Sequence, residues 1–235
     1  MGNEGVPAGP LRRGLATGRL EALSDGVYAI ALTLLVLDIA VPETMAARKD
    51  LLSAVGQLWP SYLAYVVSFS TIGASWLGHN VITEYLDHAN PTFIRLNLLL
   101  LLFVAFLPFP TRLFAGYIAE AGPERVAATI YGICLLLSSS LLWVLWRYAV
   151  RARLVRPDTA DEEVQFLTQR LTPGLGGYVI LLVAGLFVPV IAVIGYLAIA
   201  LYYIIPFRRW SRINLLRRGR GPARRRGSGQ EGEGS

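Results

Sequence analysis

The chain has 235 residues, of which 54% are hydrophobic and only 16% charged, and its mean hydropathy is +0.49. Soluble domains carry roughly 25% charge. A globule of this size could not hide so much apolar surface, so the composition excludes a soluble enzyme, a disordered chain and a disulfide scaffold, and specifies a polytopic membrane protein. One cysteine, Cys134, can neither close an intrachain disulfide nor form a thiolate metal site. It lies in an apolar run and reads as a packed, inert thiol.

The net charge of +6 comes largely from the C-terminal end, where Arg208, Arg209, Arg212, Arg217, Arg218, Arg220 and Arg224 to Arg226 are concentrated. Such a cluster just after a hydrophobic segment is the cytoplasmic flank of a membrane span, and it suits anionic lipid headgroups. It carries no interleaved aromatics beyond Trp210 and no binding fold, so no nucleic-acid partner is expected.

In chain order, residues 1–18 read as a Gly/Pro-rich cytoplasmic segment. The first hydrophobic stretch, Leu20 to Val41, carries Glu21, Asp25 and Asp38. It is longer than the apolar part of a signal peptide and is punctuated by acids, so it reads as a span. A bilayer core needs about 20 apolar residues per helix. No charged residue lies between Asp50 and Glu84, which gives the second span. The third lies between Arg95 and Arg112 and is expected to end at Pro108-Phe109-Pro110, and the fourth is Val126 to Trp146. Asp158 to Glu163 predict a short soluble lead into the fifth helix, with Thr172-Pro173-Gly174 marking its membrane boundary. Leu171 to Phe207 is too long for one span, and Pro189 and Gly195 divide it into two helices with a tight turn. There is no tandem repeat. The result is an all-α protein with a six-helix domain over 19–210 and a basic, disordered cytoplasmic tail over 211–235.

Topology follows from arginine and lysine placement. With both termini in the cytoplasm, 18 of the 22 basic residues fall on that side, and only Arg48, Lys49, Arg112 and Arg125 lie outside.

On the first helix, Leu23, Gly26, Val27, Ile30, Thr33, Leu34 and Leu37 form one stripe at helical spacing. Ser24, Tyr28, Ala31, Leu35 and Asp38 form a second, and Ala22, Asp25, Ala29, Leu32 and Val36 a third. An ionisable residue within a span is costly and points to function. If Ile30 faces a pore, Asp25 is about 140° away around the helix. It is then expected to point back into the protein, with His79, Asn80 and Asn97 as donors of similar depth. Helix geometry alone leaves open whether these form a network or are separate interfacial polar groups.

The run Arg19-Leu-Glu-Ala-Leu23-Ser24-Asp25 resembles the signature of the transmembrane protein 175 family, lysosomal potassium channels and their single-repeat prokaryotic relatives. Trp76 and His79 resemble its Trp/His pair on helix two, and Asn97-Leu-Leu with Pro108-Phe109 its helix-three pattern. Leu23 stands where the family usually has Phe. The resemblance covers about residues 19–115 directly. It implies a passive, potassium-permeable cation channel lined by helix one, with no re-entrant filter, built as a homotetramer in a bacterial or archaeal plasma membrane. It needs no cofactor or bound metal beyond permeant potassium. By position it makes Ile30 the hydrophobic constriction, Leu34 and Leu37 further apolar rings, and Thr33 a ring of hydroxyls. Arg19, Ser24, Asp25, His79 and Asn97 become the network that holds helix one. Asp38, near the outer end, is either a pore-mouth carboxylate or an interfacial one beside Pro42. His79 is a candidate for pH-dependent gating.

Two other classes fit less well. A secondary transporter needs a midplane site in broken helices, and no charge lies in the last two spans beyond Arg170. A non-conducting scaffold would use the helix-one stripe for packing only. An intramembrane enzyme fits less well still, since the sequence has no His-Glu-x-x-His, no Gly-x-Ser-x-Gly and no convergent acid pair.

Overall fold

A computed structural model describes residues 11–39, 50–120 and 122–205. The basic tail, with Trp210, and the segment holding Pro42, Arg48 and Lys49 lie outside the described residues. Within them α1 spans Leu11–Leu34 and tightens into a 3-10 turn over Leu35–Asp38. It is followed by α2 (Leu51–Gly56), α3 (Trp59–Glu84), α4 (Pro91–Phe106), α5 (Pro108–Tyr117), α6 (Pro123–Arg151), α7 (Asp161–Gly185) and α8 (Pro189–Ile204). The only extended pairing among the described residues is a single bridge, Leu86 to Val155. These helices group into six rods: α1, α2 with α3, α4 with α5, α6, α7 and α8. Thr17–Asp38, Pro91–Tyr117 and Pro123–Arg151 are long and apolar enough to cross a membrane.

Local chemistry sets the boundaries. Asn90 caps α4, its Oδ1 accepting the Phe93 N–H at 2.8 Å, with Pro91 in the first turn. Pro123 and Pro189 open α6 and α8, where a missing N–H removes no internal bond. Three acids, Asp161, Glu162 and Glu163, occupy the first turn of α7, where the helix dipole favours negative charge.

One expectation needs adjustment. The Pro108-Phe109-Pro110 run does not end its span. Leu107 keeps helical angles (φ −55°, ψ −34°) and its carbonyl accepts the Thr111 N–H at 3.2 Å. The prolines delete ladder bonds without forcing the backbone out of the α region, so the rod continues to Tyr117. The Thr172-Pro173-Gly174 run lies inside α7, which is continuous through Pro173. There Tyr203 Oη donates to the Arg170 carbonyl at 3.1 Å, and Arg170 Nη2 donates back to the Tyr203 carbonyl at 3.3 Å. The Tyr203 ring occupies the space that a side chain at Gly174 would need.

Central to residues 1–204 is α3, which packs on α1, α5, α6 and α8. The buried side chains are not purely apolar. Ser68 of α3 lies 2.8 Å from Thr111 Oγ1 and 2.7 Å from Tyr131 Oη. Tyr131 stacks on Phe114 and meets Tyr196 edge-on, and Tyr196 stacks on Tyr178. In a membrane, where packing and interhelical hydrogen bonds replace the hydrophobic drive, such contacts hold helices together. At one end the α3–α4 and α6–α7 turns are clasped. The Asp87 N–H donates to the Leu154 carbonyl at 2.9 Å and the Arg156 N–H to the Tyr85 carbonyl at 3.0 Å. Arg153, at φ 54°, supplies the left-handed step that this turn requires.

Candidate pore helix and its interhelical support

The three stripes of α1 meet different surroundings. Ser24, Tyr28, Ala31 and Leu35 are buried against α3 and α4. The neighbouring apolar stripe is bare: Leu23 is 49% exposed, Ile30 60%, Leu34 43% and Leu37 73%. Four large apolar side chains at helical spacing, uncovered within one chain, form a face that this chain alone does not fill. Gly26 and Thr33 share this face and are also exposed, and Val27 is half-buried.

A directed hydrogen-bond chain holds the buried face. His79 Nε2 lies 2.8 Å from Asn97 Oδ1. Because that oxygen only accepts, Nε2 carries the proton and donates. Asn97 Nδ2 donates to Ser24 Oγ at 3.0 Å, and Ser24 Oγ donates to the Leu20 carbonyl at 2.9 Å. Ser24, His79 and Asn97 are all buried. The chain therefore runs from α3 through α4 into the backbone of α1, with each member satisfying the next. His79 Nδ1 is left buried without a hydrogen-bond partner among the described residues. One turn further along α1, Tyr28 Oη and Ser75 Oγ are 2.9 Å apart, and the Tyr28 and His79 rings approach to 5.7 Å.

Asp25 takes a different partner from those expected. Its Oδ1 accepts the Trp76 indole N–H at 2.9 Å. The carboxylate is exposed within the single chain, on the third stripe of α1 and not on the one that carries Ile30. The indole reaches outward from α3 to meet it, so Asp25 need not enter the core to find a donor. Asn97 is committed to Ser24 and His79. Arg19 is exposed and is not joined to this chain of bonds. Ser75 and Tyr28 were missed as a pair by sequence reasoning. Their signal was spacing: Tyr28 follows Ser24 by four residues and Ser75 precedes His79 by four, so both continue faces already singled out.

Thr33 Oγ1 lies 3.0 Å from the Ala29 carbonyl and 2.9 Å from that of Ile30. Its hydroxyl proton is used within the helix, which leaves the oxygen as an acceptor only, the role a cation needs. Beyond Leu34 the 3-10 turn changes the register. With three residues per turn, Leu37 follows the direction of Leu34 more closely than an α-helix would allow. Asp38 ends this turn half-buried and within electrostatic reach of Arg112 on α5. Among the described residues no group of three or more His, Cys, Asp or Glu side chains is placed to hold a metal ion.

With this geometry in place, comparison with known proteins is informative. Residues 19–108 match the family described as "Endosomal/lysosomal potassium channel TMEM175". A potassium channel of Chamaesiphon minutus is 40% identical over 166 residues, 70% of this chain and 81% of that one. A mouse endosomal/lysosomal proton channel TMEM175 is 32% identical over 159 residues, which are 65% of this chain and 31% of the mouse protein. The crystal structure of a lysosomal potassium-selective channel TMEM175 homolog from Chamaesiphon minutus superposes with a TM-score of 0.73 at 36% identity, covering 80% of this chain and 96% of that one.

Asn97 is the member of the chain that bonds in both directions. Replacing it with Ala leaves His79 Nε2 without an acceptor and Ser24 Oγ without a donor, and an unmet buried group costs about 1–3 kcal/mol. Thermal unfolding in detergent should show Asn97→Ala clearly destabilised and a Ser24→Ala/Asn97→Ala double variant less than additive. Arg19→Gln should change stability by no more than about 0.5 kcal/mol. Additive losses would mean that the two side chains do not share a bond.

Proposed function

Because this chain belongs to the TMEM175 family of membrane channels, whose members are not enzymes, we propose that it is a passive, potassium-permeable cation channel with its pore lined by α1. The observation that carries this reading is the bare apolar stripe of Leu23, Ile30, Leu34 and Leu37 on a helix whose opposite face is pinned by polar bonds to α3 and α4. In the membrane such a stripe meets either lipid or neighbouring copies, and family membership favours the copies. Here the polar bonds fix the rotation of α1, and the uncovered side is left for symmetry-related copies and for the pore.

The chain matches nearly the full length of the bacterial structure's chain and about a third of the mouse protein, which supports one channel unit per chain. Four copies around an axis would bring four α1 helices together. Ile30 then forms an apolar ring narrow enough to dewet and block ions, and modest widening admits water and cations. Leu34 and Leu37 add further apolar rings toward the outer end. The Thr33 oxygens, which act as acceptors only, replace part of an ion's hydration between the Ile30 and Leu34 rings. Ser24, Asn97, His79 and the Asp25–Trp76 pair are positioning groups that hold α1 and do not ligate the ion. Arg19, exposed one turn before the network, faces a neighbouring copy or the helix end. Asp38 at the outer end raises local cation concentration at the mouth. Both termini lie in the cytoplasm, as the basic residues require, and the host membrane is a bacterial or archaeal plasma membrane.

Potassium flux into sealed liposomes tests this, with valinomycin as the control for vesicle integrity. Wild-type protein should pass potassium with no saturable uptake. Ile30→Asn should raise the flux about tenfold, as lowering the barrier by about 1.4 kcal/mol would do, and Asp38→Asn should lower it at low salt. No flux from correctly folded protein would favour a scaffold, and saturable uptake a transporter.

A further inference from the structure

On α6, Trp143, Arg147 and Arg151 follow one another at intervals of four and lie along one face of the helix. The Arg147 guanidinium carbon sits 5.5 Å from the centre of the Trp143 ring, within cation–π range. The ring is itself fixed, because the Trp143 indole N–H donates to Thr172 Oγ1 of α7 at 3.1 Å. Arg147 Nε is buried with no hydrogen-bond partner among the described residues, which leaves the terminal amino groups as the donors for an outside acceptor. No protein carboxylate meets them, since neither Arg147 nor Arg151 makes an ion pair within 4 Å among the described residues. The face of α7 toward this region presents Thr168 and Thr172, whose hydroxyls are bonded to the Trp146 and Trp143 indoles.

The depth of this stripe is set by the helix. From Val126 to Trp146, α6 carries 21 consecutive uncharged residues, which rise about 32 Å at 1.5 Å each, close to the roughly 30 Å of bilayer hydrocarbon. Arg125 and Arg147 therefore bracket one bilayer core, with each at a headgroup layer. The two ends differ. Arg125 has Glu124 beside it at 3.8 Å, whereas Arg147 has only an indole. The helix also makes no substantial packing with α1: α1 packs on α3 and α4, while α6 packs on α3, α4, α5, α7 and α8.

From this arrangement we infer that Trp143, Arg147 and Arg151 form a binding site for the phosphate of an anionic phospholipid in the leaflet at that end of α6. The indole orients the Arg147 guanidinium, its amino groups take the phosphate oxygens, and Arg151 adds a second charge one turn nearer the water. The site uses side chains of α6 alone and does not depend on whether the protein conducts.

Native mass spectrometry of the full chain, titrated with phosphatidylglycerol or phosphatidylcholine of the same acyl chains, reads this site. Wild type should retain the first phosphatidylglycerol in preference. Arg147→Gln and Arg151→Gln should each lower that preference about fivefold, the effect of one surface cation on anionic lipid, while Arg125→Gln leaves it intact. Because the tail is present in every variant, its contribution cancels. If Arg147→Gln fails to fold, Arg151→Gln at the exposed helix end carries the test alone. A preference equal to wild type in the folded arginine variants, or lost equally in Arg125→Gln, overturns the site.

Discussion

A polar side chain buried between membrane helices must be hydrogen-bonded, and the architecture around α1 follows from that requirement. Ser24, placed on the inward face of α1, can be buried only if α4 brings a donor to its depth. Asn97 does so, and its remaining carbonyl then needs a donor that α3 supplies through His79. Three helices are thereby locked in relative rotation by bonds that no slid or rotated arrangement would satisfy. Tyr28 with Ser75 and Asp25 with Trp76 extend this lock by a turn. Van der Waals packing alone would tolerate small rotations of α1. The polar bonds do not, and the direction of the apolar stripe is fixed as a consequence.

The same principle recurs away from α1. Ser68, Thr111 and Tyr131 join α3, α5 and α6 through hydroxyls, and Trp143 and Trp146 tie α6 to α7 through two threonines. The clasp of Tyr85 and Asp87 with Leu154 and Arg156 pairs backbone groups that neither turn could satisfy within itself. The protein thus has a hydrogen-bonded scaffold beside a helix with one face uncovered within the chain.

Much of this was legible in the sequence because membranes make patterns severe. The charge-free run between Asp50 and Glu84 became α2 and α3, that between Arg125 and Arg147 became a helix long and apolar enough to cross a membrane, and Pro189 marked the α7–α8 turn. The division of α1 into stripes followed from helical spacing, and the buried stripe is the one that carries Ser24 and Tyr28. Other features depend on neighbours that spacing cannot supply. Trp76 was recognised as part of a motif, but its role as the donor to Asp25 depends on how far the indole reaches from α3. The 3-10 turn at Leu35–Asp38 has no composition signal. Pro108 and Pro110 signal a stop that the helical angles of Leu107 override. The Arg153 turn needs a left-handed residue that is not glycine, and nothing local announces it.

The central claim is that the stripe of Ile30, Thr33 and Leu34 faces the ion path. Silver ions test it directly, since they are monovalent, small enough to follow potassium, and react irreversibly with thiols. In a Cys134→Ser background, a cysteine introduced at Ile30 should let silver abolish the potassium current, and one at Leu32, on a different stripe, should not. Block at Leu32 with a current untouched at Ile30 would contradict the account, because it would turn α1 away from the orientation that Ser24, Asp25 and Tyr28 impose.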